Sequence, residues 1–486
     1  MSIKARSFAS IASLCTLFLS SHAGAFELVY GATPEIDSGA RGVTPVQFCP
    51  GGGFVSAGTR QTAAASDVYV VRTSLAGFTV FERRYDVGPG SIDRGSSIVE
   101  LRNGSGFVVV GTSAVPGGTD DVLLIRTDCL GNPVFTVTYG SPLRDSATDV
   151  IESVSGNAAF GTAAGDLVIS GTTTHPAGNN TDGLLLRVRS NGALIWHRRY
   201  DVNSVNEAFA SLTEARPSLG SPTGDIVAVG NWRSGAAPDQ GYVTRVSGDT
   251  GAIGGGNTCA AIYGGPDTDR FTGVVESRVG ATAGQLLFTG SSFSAAQAND
   301  IYLVRSQPNP CFSLAQRRIG APAAAALGDE SPSDIKQLTA AMGIGPTGAL
   351  VLTGSVGATG TNAFDALLLS ADITTLIPIT GRRYGDHAGR RDQGLSLFQV
   401  PAAFGSGIVI SGTADSDPQG VGDARDLYLV RTDVNGNTSC NAGIAMPHTA
   451  VLFPPTALAP LSAPILTAVQ RAVAAPSQNT RYQSCP

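Results

Sequence analysis

Along this chain, apolar residues come in short runs, and glycine, asparagine and aspartate separate the runs. Residues 426–437, Asp-Leu-Tyr-Leu-Val-Arg-Thr-Asp-Val-Asn-Gly-Asn, are the clearest example. A half-alternating strand runs into Asn435-Gly436, which supplies the positive-φ positions of a tight hairpin. Three marks recur in register, each seven times. An apolar strand ends in Gly-Thr or a near equivalent, as at Gly58, Gly111, Gly171, Gly230, Gly290, Gly354 and Gly412. An Asp stands five residues before an Arg, as in Asp67/Arg72, Asp121/Arg126, Asp182/Arg187, Asp300/Arg305 and Asp426/Arg431, with Gln240/Arg245 and Asp365/Ser370 degenerate. A strand ends in Tyr and a small or acidic residue, as at Tyr30, Tyr85, Tyr139, Tyr200, Tyr263 and Tyr384, with Ile319 in the remaining copy.

Successive Gly-Thr marks lie 53 to 64 residues apart. One copy reads as four strands: 97–101, 106–112, 121–127 and 133–139. Four strands in a period of this length predict an all-β fold, a β-propeller of seven blades, each a four-stranded antiparallel sheet. The first Tyr-Gly strand, Phe26–Tyr30, precedes any other strand, and the last copy lacks one after Asn437. The N-terminal strand is therefore expected to complete the last blade and close the ring.

The pattern Asp-x-Tyr-Leu-Val-Arg-Thr-Asp-x-x-Gly-Asn, followed by an apolar strand ending Tyr-Gly, resembles a family of exported bacterial β-propeller repeat proteins. Leu194–Tyr200 is similar to that family's tryptophan-bearing strand, through Trp196. The resemblance spans roughly residues 26–440 and implies architecture and export, with no particular activity. The blades are also similar to quinoprotein and WD40-like blades. The regular tryptophan set of quinone-cofactor enzymes is absent, which argues against that cofactor.

Residues 1–25 read as a secretory signal, with Lys4 and Arg6, an apolar middle, and a small-x-small site at Ala23-Gly24-Ala25. The apolar run is too short for a membrane span, and no other segment reads as one. A secreted or periplasmic protein, beginning near Phe26, is expected. Residues 26–440 form the propeller and residues 441–486 a Pro/Ala-rich extension, expected to lie extended on the outside. Six cysteines remain after Cys15, so disulfides are expected. Fifteen pairings are open; Cys440 with Cys485 is the one we single out. The net charge of −6 argues against nucleic acid. A monomer is expected. Lysine occurs only at Lys4 and Lys336, which we read as genome composition.

Candidate chemistry falls in the longer loops, those between the second and third strands and between blades. The repeat Asp lies there, as does a second series: Asp37, Asp93, Asp145, Asp269, Asp329 and Asp392, with Asn206 in the remaining copy. An acid repeated in every blade is expected to fix turns rather than to catalyse. The repeat Asp and Arg point to opposite faces, so any pairing is expected between blades. The loop holding Asp415, Asp417, Gln419, Asp423 and Asp426, with Gly420 at its sixth position, approaches the spacing of a twelve-residue calcium loop. Pro418 and the terminal Asp depart from that spacing, and a solvated acidic loop is the plainer reading. No cofactor is expected, unless this loop holds calcium. His175, Trp232, Arg233, His387, Arg390 and Arg391 are the ligand-binding candidates; Trp232 beside Arg233 could stack on a sugar or instead cap a blade interface.

No nucleophile elbow, phosphate loop or zinc motif is present. The expected function is a secreted, non-catalytic scaffold or binding module for a protein or glycan at the cell surface. The alternative is a polysaccharide hydrolase or lyase with its site at the mouth of the central channel. An enzyme should gather non-repeated charged residues from several blades near the axis.

Overall fold

The computed structural model describes residues 24–483 except 32–35, 63–64, 175–179, 203–204, 217–223, 255–257, 295–297, 321–328, 358–363, 386–390, 416–424, 439–443, 446–448, 453–455, 458–460, 464–466 and 472–481. The fold is an all-β propeller. Each repeat supplies antiparallel strands ordered from the axis outward, as in Asp145–Glu152, Leu167–Thr174, Thr181–Val188 and Leu194–Asp201. The strands are apolar on both faces where sheets stack: Leu184, Leu185 and Leu186 are all buried, because one face meets the preceding sheet and the other the following one.

The expectation of seven separate four-stranded blades, with the ring closed by the N-terminal strand, is corrected. Five sheets stand alone, each of five strands, and a further sheet has nine, eight of them in its main order and Thr79–Tyr85 paired to one side. The nine-stranded sheet arises because a parallel bridge, Ser66↔Ile92, links two repeats at their loop ends. The fifth strands come from the C-terminal extension, which the four-strand period could not count. Ile444–Ala445, Thr449–Leu452, Thr456–Ala457 and Leu461–Ala463 add in turn to the outer strands Pro378–Tyr384, Ser313–Gly320, Cys259–Tyr263 and Leu194–Asp201. Thr467–Arg471 then adds to Pro133–Gly140. The extension thus runs backward round the outside and covers otherwise open sheet edges.

Phe26–Tyr30 pairs with Arg425–Arg431, from Phe26↔Arg431 to Tyr30↔Leu427. It is not an edge, because Tyr482–Gln483 lies outside it. First and last repeats also meet along their inner strands, Ile36–Pro45 and Gln393–Gln399. Phe26, Leu28, Val43, Phe54, Val409 and Leu429 bury that seam.

The repeat marks prove to be staples between neighbouring repeats. The Tyr hydroxyl donates to a carbonyl in the next repeat's hairpin turn: Tyr85 to Gly131, Tyr139 to Gly192, Tyr200 to Gly251 and Tyr384 to Gly436, each at 2.7 Å. Gly436 has φ 76°, and Asp433 holds the turn by accepting from the Asn435 and Asn437 amides at 2.8 Å. The repeat Arg reaches the same turns, as Arg187 does at Gly248 O and Arg72 at Cys129 O. In four copies the repeat Asp has a partner other than the repeat Arg. It pairs within its own sheet with an Arg on the fourth strand: Asp67 with Arg84, Asp182 with Arg199, Asp300 with Arg318 and Asp365 with Arg383. The five-residue spacing had hidden this cross-strand partner.

Disulfides join Cys49 to Cys129 and Cys259 to Cys311, with Cα–Cα distances of 5.6 and 6.3 Å. They tie neighbouring repeats together and suit an oxidising compartment. Cys440 and Cys485 lie outside the described residues. Among the described residues no helix is long and apolar enough to cross a membrane.

Candidate functional site

Each inner strand opens with a buried acid at its loop end. The buried series is Asp37, Asp93, Asp145, Glu207, Asp269, Glu330 and Asp392. The sequence reading had placed Asn206 and Asp329 one residue early in two copies. The pairing Glu207↔Trp232 and Glu330↔Val356, two residues beyond Gly230 and Gly354, sets the register. Four residues after each acid the strand passes a bulge and turns one side chain toward the axis. Those residues are Arg41, Ser97, Asp149, Ser211, Gly273, Asp334 and Ser396. The repeat frame is kept, while the chemistry at this one position changes from copy to copy.

All of these except Gly273 line an axial cavity of about 170 Å³, together with Lys336 and apolar walls including Ile98, Val150 and Phe398. Asp149 Oδ1 accepts from Ser97 Oγ at 2.9 Å and the Val150 amide at 2.9 Å. Its Oδ2 accepts from Ser211 Oγ at 2.9 Å and the Leu212 amide at 3.3 Å. Asp334 accepts from Lys336 Nζ at 2.6 and 2.8 Å, from the Ile335 amide at 2.8 Å, and from Ser396 Oγ and the Leu397 amide at 3.2 Å. Arg41 donates to Ala210 O at 3.1 Å.

The two carboxyls are pushed in opposite directions. Burial raises the Asp149 pKa, and the Asp334 charge adds to the rise against Arg41 and Lys336. Burial acts on Asp334 the same way, but Lys336 and then Arg41 outweigh it and hold that carboxyl below its usual range. Two carboxylates from separate repeats, one favouring its proton and one its charge, therefore share one small space with two cations.

None of the described loop candidates lines this cavity. His175, His387 and Arg390 lie outside the described residues. Trp232 is half-buried in the sheet interface near Phe209 and Tyr242, which is the capping reading. Arg233 is exposed and turned to Asp239, which also holds Arg270, so Trp232 and Arg233 do not form one stacking surface. Arg391 is exposed. Of the calcium-loop candidates, Asp417, Gln419 and Asp423 lie outside the described residues. Asp415 and Asp426 end paired strands, Ala414↔Asp426 and Asp415↔Arg425. Two signals in the sequence pointed to the cavity: the lone lysine of the propeller, Lys336, and the Asp that breaks a run of small residues four places after the repeated acid.

No family model and no curated protein sequence matches the chain. Among solved structures it is similar to an α-L-arabinanase of Penicillium chrysogenum complexed with arabinobiose, at 12% identity and TM-score 0.44, over 69% of this chain and 92% of that one. It is also similar to Sqt1 from Chaetomium thermophilum, at 12% identity and TM-score 0.41, over 82% and 96%. A third is a mutant α-L-arabinofuranosidase of Fusarium graminearum with an iminosugar inhibitor, at 10% identity and TM-score 0.39, over 69% and 91%. Likeness at this level leaves the function to the chain's own residues.

Proposed function

We propose that the protein is an exported carbohydrate-active hydrolase whose site is the axial cavity. The observation that carries this reading is the pair Asp149 and Asp334, set at a position where other copies have Ser, Gly or Arg, with carboxyl pKa values displaced in opposite senses. Glycoside hydrolysis needs one carboxyl that gives a proton to the leaving oxygen and one ionised carboxylate opposite it. Asp149 takes the first role and Asp334 the second, with Lys336 and Arg41 keeping Asp334 charged. Ser97, Ser211 and Ser396 offer hydroxyls suited to sugar hydroxyls, and Ile98, Val150 and Phe398 supply apolar wall. The expected binding module thus gives way to its alternative, with the site moved from the channel mouth to the axial cavity.

A second reading, a glycan-binding propeller without turnover, has its own observation. Every oxygen of Asp149 and Asp334 already accepts at least two protein hydrogen bonds. A carboxyl held so fully can fix the axis as well as react. Incubating the exported chain with a panel of plant and bacterial polysaccharides and measuring reducing ends separates the two. Release that is lost in Asp149→Asn supports the hydrolase; glycan binding without release supports the module.

A further inference from the structure

Among the described residues outside the axial cavity, carboxylates converge in two places. Asp182, Asp201 and Glu207 each bring an oxygen within 4.8 Å of the others, and so do Asp67, Asp86 and Asp93. The two groups occupy equivalent positions: the repeat Asp, the residue after the repeat Tyr, and the buried acid of the next inner strand.

Most other copies have Gly after the Tyr position, and there the repeat Asp presses onto the backbone. A methyl on Gly31, Gly140 or Gly320 would stand 1.8, 1.9 or 2.0 Å from Oδ1 of Asp426, Asp121 or Asp300. Only Tyr85-Asp86 and Tyr200-Asp201 carry an acid there, so only those copies turn a pair of carboxylates into three.

Asp182 and Glu207 are fully buried, yet Asp182 Oδ1 and Glu207 Oε2 accept no hydrogen bond among the described residues. Arg199 Nε lies 3.1 Å from Asp182 Oδ2, and the Val202 amide donates to Glu207 Oε1 at 3.2 Å. With one guanidinium beside them, ionising all three carboxyls without a cation would be costly in a buried site. The first group has the same three positions and one guanidinium, Arg84 Nε 3.0 Å from Asp67 Oδ2, but more donors: Asp93 Oδ2 accepts from the Val87 amide at 2.8 Å and Ser91 Oγ at 2.7 Å, and Asp86 Oδ1 from the Gly88 amide at 2.9 Å and Ser91 Oγ at 3.3 Å.

We infer that Asp182, Asp201 and Glu207 bind one calcium ion, and Asp67, Asp86 and Asp93 a second. Carboxylate oxygen is the donor a hard cation takes, and one doubly charged ion offsets that cost. Calcium–oxygen bonds of about 2.3–2.6 Å let oxygens up to roughly 4.8 Å apart share one ion, and the oxygens of each group lie within that limit. Magnesium, at about 2.1 Å, needs a tighter shell and keeps more of its water. The ions would lie between neighbouring sheets and join them, beside the tyrosine staples.

Equilibrium dialysis of the metal-stripped, full exported chain against calcium chloride tests this. Asp201→Gly, which installs the residue the other copies carry, is expected to lower the bound calcium by one ion per chain. Asp86→Gly with Asp201→Gly is expected to lower it by two and to abolish the rise in melting temperature on adding calcium. An ion in the loop 415–426 would survive both changes and so cannot imitate the result. Should a glycine variant fail to fold, Glu207→Gln keeps the shape and is expected to weaken one site at least tenfold. Absence of bound calcium in the unmodified chain, or an unchanged number of ions in the double variant or in Glu207→Gln, overturns the inference.

Discussion

The axial carboxylates and the carboxylates between sheets are both buried, yet they are satisfied in different ways. Asp149 and Asp334 each have amide and hydroxyl donors, and Lys336 lies on Asp334. Asp182 and Glu207 have one arginine and one amide between them. Asp334 can hold its charge without help from outside the chain; Asp182 and Glu207, with so few donors, favour their protons. Burial alone therefore says little about what a carboxylate does, and the count of donors says a good deal.

The largest effect expected from breaking this contrast is at the axis. Asp334→Ala leaves Lys336 and Arg41 facing one another without their main counter-charge. A loss of about 2–3 kcal/mol in urea unfolding is expected, the low end for a buried pair because Lys336 is one-third exposed. A loss below about 0.5 kcal/mol would place Asp334 among ordinary surface charges.

The inter-sheet group should answer to pH. Burial, with Asp182 and Asp201 adding to it, raises Glu207 from 4.5 to about 9; burial, with Asp201 adding and Arg199 opposing, raises Asp182 to about 7. A carboxyl whose folded pKa is raised contributes its stability below the unfolded value and loses it as pH rises through the folded one. In chelator, melting temperature should therefore fall between about pH 4.5 and pH 9. Millimolar calcium should remove most of that fall, since the ion holds the carboxylates ionised. Asp334 has the opposite sign: its pKa is depressed, so its contribution is lost on the acid side. A flat profile in chelator would erase the distinction between the two regions.

The smallest effect sharpens the account of how the sheets are joined. Tyr384→Phe removes the hydrogen bond to Gly436 O and should cost about 1 kcal/mol, seen as a shifted urea midpoint at constant slope. The Ile319 copy has no such hydroxyl and lacks this hydrogen bond.

Much of this architecture could be read from the chain. Period, hairpin turns and the Tyr-Gly strand follow from Gly436 and its equivalents, and from apolar runs buried on both faces. The extension was harder, because its pairing is made by backbone groups that leave no mark in residues such as Thr449–Leu452. The site was harder still. Asp149 and Asp334 differ from Ser97 and Ser396 by one substitution within a repeated frame, and a bulge decides that they face the axis. Trp232 and Arg233 read as loop residues by type, but they end the strand Ile226–Arg233 and their side chains diverge. Lys336 was visible as an isolated lysine, yet only the strand register shows that it meets an aspartate.

The central claim is that the axial carboxylates work as an acid and an ionised partner. The most direct measurement is the pH dependence of sugar release by the unmodified chain, with Asp149→Asn and Asp334→Asn alongside it. Turnover that falls on the alkaline side as Asp149 loses its proton, and on the acid side as Asp334 gains one, with at least a hundredfold loss in each variant, is the predicted result. Release unaltered by both substitutions, or none from any polysaccharide that the chain binds, would contradict it.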